Sequence, residues 1–278
     1  MSAIVTRLGL IARNTFLEAV RQKFFNVLLV LSIALIASAN FFRQFDFGSS
    51  ELKFITDMAL GVVLLFGSIL SVFVTAQLFF NEIENRTALT MLAKPVYRWE
   101  FLVGKFFGVF LVLAAFVALM FSLLAIVLYW RESGLMEQHP DAFTDGRLVQ
   151  YGGLAMFALS ELAKFGILVA MTLFIASFSN TNLYTVIISF FMLIICQLQY
   201  IARDHWSGIE NPILRGIVGL LGLMFPNLQM YNAGDALIFT PEGASVSITA
   251  YLGLLLYGAV YIAVFLGLAG YAFRKREI

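Results

Sequence analysis

The sequence predicts an all-α integral membrane protein: six transmembrane helices, an N-terminal amphipathic interfacial helix ahead of the first, and a re-entrant helix before the last. Three observations predict it. Of 278 residues, 61% are hydrophobic and only 13% are charged, about half the charged fraction of a soluble domain. The apolar residues gather into six runs, each near the 20 or so residues that a helix needs to cross a bilayer. Lys and Arg concentrate on alternate links between those runs, which is the pattern that orients a multi-pass chain. A formal net charge of +1 excludes a globally basic nucleic-acid binder. The lipid bilayer is the expected surrounding instead, and residues 1–278 read as a single transmembrane domain.

Residues 2–23 form the arm. At about 100° per residue, Arg7, Asn14, Glu18 and Arg21 fall on one face of a helix, and Val5, Leu8, Ala12, Phe16 and Ala19 fall opposite. A helix of this kind lies in the membrane interface. It serves either as an anchor or as a polar face for a cytosolic partner.

The spans follow at 24–42, 58–80, 101–129, 154–178, 183–201 and 248–273. The apolar stretch at 211–226 is too short to cross. It starts on Asn211 and Pro212, a cap and first-turn pair, and stops at Pro226. It reads as re-entrant, which is tolerated at membrane depth when packed on protein. Small residues four apart let membrane helices approach closely. Gly104 and Gly108 in span three, and Ala259, Ala263 and Gly267 in span six, are the candidates for such packing.

Six spans put both termini on one side. That side carries Arg7, Arg13, Arg21, Lys23, Arg86, Lys94, Arg98, Lys105, Arg274, Lys275 and Arg276, against six cations spread over the longer opposite loops. The N- and C-termini are therefore expected in the cytoplasm. So is the segment 81–100 between spans two and three, NEIENRTALTMLAKPVYRWE. Asn81 can cap a short helix there, with Glu82 and Glu84 in its first turn, Glu82 paired to Arg86, and Thr87 following. Pro95 limits that helix. Held between two membrane helices, such an element moves spans two and three when pushed. The link Ser179-Asn180-Thr181-Asn182 between spans four and five is a tight, uncharged turn.

Inside the membrane stretches, Glu161 and Lys164 lie three apart on one helical face. They read either as a structural ion pair near the outer boundary or as part of an outward-opening pathway. No catalytic constellation emerges: HExxH is absent, and His139 and His205 fall in expected outer loops. A P-loop is absent too, since Trp99 stands where GxxxxGK would have its first glycine before Gly104-Lys105. No cluster of Cys, Met and His suggests a metal site.

The arm with Arg13-Asn14-Thr15-Phe16-Leu17-Glu18, then Glu82-x-Glu84-x-Arg86-Thr87 and Lys94-Pro95-Val96-x-Arg98-x-Glu100-Phe101-x-x-Gly104-Lys105, resembles the permease subunits of ABC-2 type transporters. The resemblance includes the branch with the permease of nitrous-oxide-reductase copper-site maturation. It implies an ABC-2 exporter-like fold and an ATP-driven exporter, built as a homodimer with the translocation path between two copies of this chain. It implies two separate ABC ATPase subunits, which would bind ATP and Mg themselves, so that this chain needs no cofactor and is not an enzyme. Asn81, Glu82, Glu84, Arg86 and Thr87 would then form the main contact with the ATPase. The arm residues Arg7, Asn14, Glu18 and Arg21 would form another, and Ser179 to Asn182 a third. The location implied is the cell (inner) membrane. Two rivals stay open: a mechanotransmitter or scaffold that passes ATPase motion to an outer-side partner through 202–247, and a secondary transporter without an ATPase. Substrate is not legible in the residues.

Overall fold

The computed structural model describes residues 2–42, 51–84, 97–138, 140–143, 146–205, 211–239 and 247–274. Among them the chain is helical throughout: α1 (Ser2–Val20), α2 (Lys23–Phe42), α3 (Glu51–Glu84), α4 (Arg98–Gln138), α5 (Tyr151–Phe178), α6 (Asn182–His205), α7 (Pro212–Met224), α8 (Gly234–Ile238) and α9 (Ile248–Arg274), with 3-10 turns at Pro140–Phe143 and Leu228–Tyr231. Among the described residues five helices, α3, α4, α5, α6 and α9, are long and apolar enough to cross a membrane, and α1 with α2 would count as a sixth only if that bent pair were taken as one span.

Each long helix outlasts its apolar run. Hydropathy sees only the part that lies in hydrocarbon, whereas Glu, Lys and Leu at the ends are good helix formers that carry the backbone ladder on. So α3 begins at Glu51, and α4 continues through Arg131 and Glu132 to Gln138, where the sequence suggests a loop. Asn81 likewise lies inside α3, which runs unbroken to Glu84. It does not cap a separate helix, because nothing between Phe80 and Glu84 interrupts the ladder. Residues 85–96, with Arg86 and Thr87, lie outside the described residues.

α5 is the axis of the bundle, packed by α9, α3, α4 and α6. From Phe165 to Leu173 every residue is buried, whatever its direction. A helix apolar all round belongs in the middle of an assembly. The Phe79, Phe101 and Phe273 rings tie the ends of α3, α4 and α9 together, with centroids 5.7 to 6.2 Å apart. Arg98 donates to the carbonyls of Phe273 and Arg274 at 2.9 and 3.1 Å, satisfying the last turn of α9.

The arm turns by 66° into α2 at Arg21–Gln22 and lies along α4. Gly104 and Gly108 make that possible: a Cβ at Gly104 would overlap Ile11, and one at Gly108 would overlap Thr15 and approach the Ala12 carbonyl to 2.9 Å. The small residues of span three thus receive the arm. Ala259, Ala263 and Gly267 do otherwise, lying on an exposed face of α9, while Gly258 and Ala269 take the packed positions. The pair in span three and the triplet in span six both have helical spacing, and only the neighbour distinguishes them.

α7 is a 13-residue helix. Asn211 Oδ1 accepts from the Ile213 and Leu214 amides at its start. At its end, Gln199 and Tyr261 donate to the Gly222 and Leu223 carbonyls from α6 and α9. The chain then dips into the bundle: Leu228, Tyr231 and Ile238 are fully buried, and Tyr231 donates to the Leu254 carbonyl at 3.1 Å. Gly153 of α5 meets the Leu237 carbonyl so closely that any side chain there would collide with it.

Candidate functional site

The charged residues that flank the link 85–96 do not stand apart in solvent. Lys105, on the second turn of α4, is 1% exposed, and its Nζ lies 2.6 Å from Glu82 Oε1 on the last turn of α3. Glu18 of the arm approaches the same ammonium at 3.9 Å. One turn nearer the start of α4, the fully buried Glu100 faces Arg7 of the arm at 3.6 Å. Three helices therefore share two ion groups, Arg7 with Glu100 and Lys105 with Glu82 and Glu18.

The sequence explains why it forms here. Glu100 and Lys105 sit five apart on α4 and bracket the face that receives the arm at Gly104 and Gly108. Glycine brings the arm's backbone close, and the arm's carboxylate and guanidinium then fall within reach of buried charges. Charges this deep persist only when paired, since an isolated ion in the interior costs several kcal/mol. The Lys105 ammonium also lies 5.9 Å from the Phe101 ring centroid, linking the cluster to the aromatic trio. Chemically the site is a charged joint: ion pairs that hold three helices against one another.

Asn14 and Arg21 are exposed on the arm, whereas Arg7 and Glu18 turn toward α4. Glu84 is the last residue of α3. α5 ends at Phe178 and α6 starts at Asn182. In the turn between them Ser179 is buried and donates to the Ile175 carbonyl at 2.8 Å, while the Thr181 hydroxyl accepts from the Tyr184 amide at 3.3 Å. That leaves Asn180 and Thr181 as its exposed members.

Glu161 and Lys164 are 1% and 2% exposed and 3.5 Å apart. Instead of snorkelling to an aqueous boundary, Lys164 donates to Asn232 Oδ1 at 2.7 Å, and Asn232 donates on to Gln229, itself bonded by Gln197. Sequence reasoning missed Asn232 and Tyr231, because 202–247 reads as an outer loop and nothing local marks which part returns to the core. Asn227-x-x-x-Tyr231-Asn232, after Pro226, is the one polar cluster that could have raised the question.

At the end of the bundle away from the termini, the fully buried Glu132 accepts from the Val149 amide at 3.0 Å, Tyr151 Oη at 3.0 Å and Arg147 Nη1 at 3.1 Å. Arg131 pairs with Glu51 at 2.6 Å. Burial works against the charge on Arg147, but the hydrogen bond and field of Glu132 outweigh it and hold the guanidinium above its ordinary pKa. Among the described residues, no three His, Cys, Asp or Glu side chains come together as a metal site would require.

A family model described as ABC-2 family transporter protein matches residues 10–278. The chain belongs to that family. A search of curated proteins finds no match. As an ABC-2 family member the chain is a membrane permease component of a transporter, and the match starts within the arm, after Arg7, and takes in Glu18, Glu82, Glu100 and Lys105.

Proposed function

We propose that this ABC-2 permease couples to separate ATPase subunits through the link 85–96, and that the charged joint passes their motion to the bundle. The observation that carries the proposal is the pair of ion groups there: Lys105 joins the two ends of the link by pairing with Glu82 and also approaches Glu18 of the arm, while Glu100 faces Arg7 of the arm. A docking element needs a rigid base: displacement applied to the link then moves α1, α3 and α4 together, and α9 with them through Arg98 and Phe273.

Within this reading two copies of the chain enclose an export path, and ATP closes the partner ATPases. Shifting a gate from 1:99 to 99:1 takes about 5.5 kcal/mol of differential interaction, which two nucleotide sites can supply. Glu84, Arg86 and Thr87 would meet the ATPase. Glu82 is assigned to the joint, since its carboxylate is already held by Lys105. Asn14 and Arg21, the exposed polar residues of the arm, would make the second contact, and Asn180 and Thr181 the third. The termini then lie in the cytoplasm.

The test is site-specific photo-crosslinking in native membranes. A photoreactive residue at Tyr97, 64% exposed beside the link, is expected to yield an adduct with a P-loop ATPase, and one at Leu148, at the opposite end of the bundle, is not. Equal capture from both positions, or capture from Leu148 alone, would overturn the docking assignment.

A further inference from the structure

The seam between α4 and α5 is not filled. An open groove of about 470 Å³ runs along it, lined by one stripe of each helix, a volume in the range of small-ligand sites. On α4 the stripe is Ala114, Ala118, Ser122 and Ala125, and on α5 it includes Ala155 and Ala158. Small residues at this spacing commonly let two helices close up. Here the helices are held apart by the buried Val117, Phe121 and Leu154, which form the groove's floor. The result is a trough, with Ala118 and Ala155 exposed on its flanks.

Its length is informative. Ala114 to Ala125 spans about 16 Å at 1.5 Å per residue, close to half of a ~30 Å hydrocarbon core. The trough matches the depth of one leaflet. One end stops among α4 and α5 residues that are apolar, and the other stops at Tyr151. The Tyr151 ring lies 6.3 Å from that of Tyr129, and Arg147 stacks over Tyr129 at 4.2 Å. Two tyrosines and an arginine are the residue types that favour the boundary between hydrocarbon and headgroups.

From this we infer that the α4–α5 groove binds one acyl chain of a phospholipid, with the lipid phosphate against Arg147. Charge supports that choice of occupant. Arg147 uses Nη1 for Glu132 and Nη2 for Ser133, at 3.1 and 3.3 Å, and a guanidinium has five N–H donors, enough for a phosphate as well. The Glu132 carboxylate, which would oppose an anion, is fully buried and also takes the Val149 amide and the Tyr151 hydroxyl. The inference rests on α4 and α5 spanning a membrane and is independent of how the chain meets an ATPase.

The test uses the full chain in phosphatidylcholine vesicles, with a trace of phosphatidylglycerol or of diacylglycerol, each carrying a diazirine in one acyl chain. Adducts are mapped by mass spectrometry. Phosphatidylglycerol adducts are expected to concentrate at Ala114 to Ala125 and Ala155 to Leu162, well above those at Leu111 and Leu119 on the exposed remainder of α4. Ala118→Phe should remove the groove adducts and leave those at Leu119, and Ala155→Phe gives the same result should the first variant fold poorly. Arg147→Ala should lower phosphatidylglycerol labelling about tenfold, the equivalent of one charge-assisted hydrogen bond, without changing diacylglycerol labelling. Labelling of the groove no higher than at Leu111 and Leu119 would overturn the site, and indifference to Arg147→Ala would overturn the phosphate contact. Disulfide-linked dimers of Ala118→Cys in a Cys196→Ser background would show the groove filled by a second copy instead, and overturn the inference.

Discussion

Lys105 Nζ lies 2.6 Å from Glu82 Oε1, joining the second turn of α4 to the last turn of α3 across the link 85–96. With Lys105 1% exposed and Glu82 13% exposed, either charge without the other is an uncompensated ion at the base of the link. Breaking such a pair by removing one partner typically costs 3 to 5 kcal/mol, and about the lower end is expected here, since Glu18 also approaches Lys105. Lys105→Met and Glu82→Gln should each lower the thermal midpoint in detergent. The double variant should lose clearly less than the sum, and strict additivity would mean that the two side chains do not interact.

Gly108→Val tests the seat of the arm. Its side chain would overlap Thr15 and press on the Ala12 carbonyl, a backbone atom that moves only if the arm moves. A cost of about 1 to 3 kcal/mol follows from overpacking. Hydrogen exchange should show α1 losing protection while α5 keeps its own, and unchanged protection in α1 would contradict the packing.

Gly153 plays the corresponding part at the other end. Gly153→Ala should displace the segment Gly234–Ile238 and break the 3.0 Å bond from the Gln150 amide to the Ile238 carbonyl. Faster exchange of the Gln150 amide is the readout.

Glu132→Gln keeps the shape of the side chain and removes its charge. Arg147 then loses the carboxylate that holds it, and the loop around it should open. Limited trypsin digestion should cut after Arg147 several-fold faster than in the parent chain, and an unchanged rate would show that Tyr151 and Val149 alone fix the loop.

Much of this fold was legible because membrane helices announce themselves: the runs 24–42, 101–129 and 248–273 each lie within or along one observed helix. Their ends were not, since α3 and α4 continue into charged residues where hydropathy falls silent but the backbone ladder does not. The candidate site was half legible. Composition drew attention to Glu82, Lys105 and the arm, but a helical wheel treats Arg7 and Glu18 as facing outward, and only the approach of α1 to Gly104 and Gly108 turns them toward α4. The return of 227–238 into the core had only the polar run Asn227-x-x-x-Tyr231-Asn232 to mark it, because Tyr231 and Asn232 are bonded to Leu254 and Lys164, partners distant in sequence.

The central claim is that the charged joint carries motion from the link into the bundle. The most direct measurement is the distance between spin labels at Leu148 and Ile248, taken with and without trapped ATP, in the full chain assembled with its ATPase. A nucleotide-dependent change is predicted for the parent chain. In Lys105→Met/Glu82→Gln, with assembly and ATP binding retained, that change should be lost. The same change in both would contradict the claim.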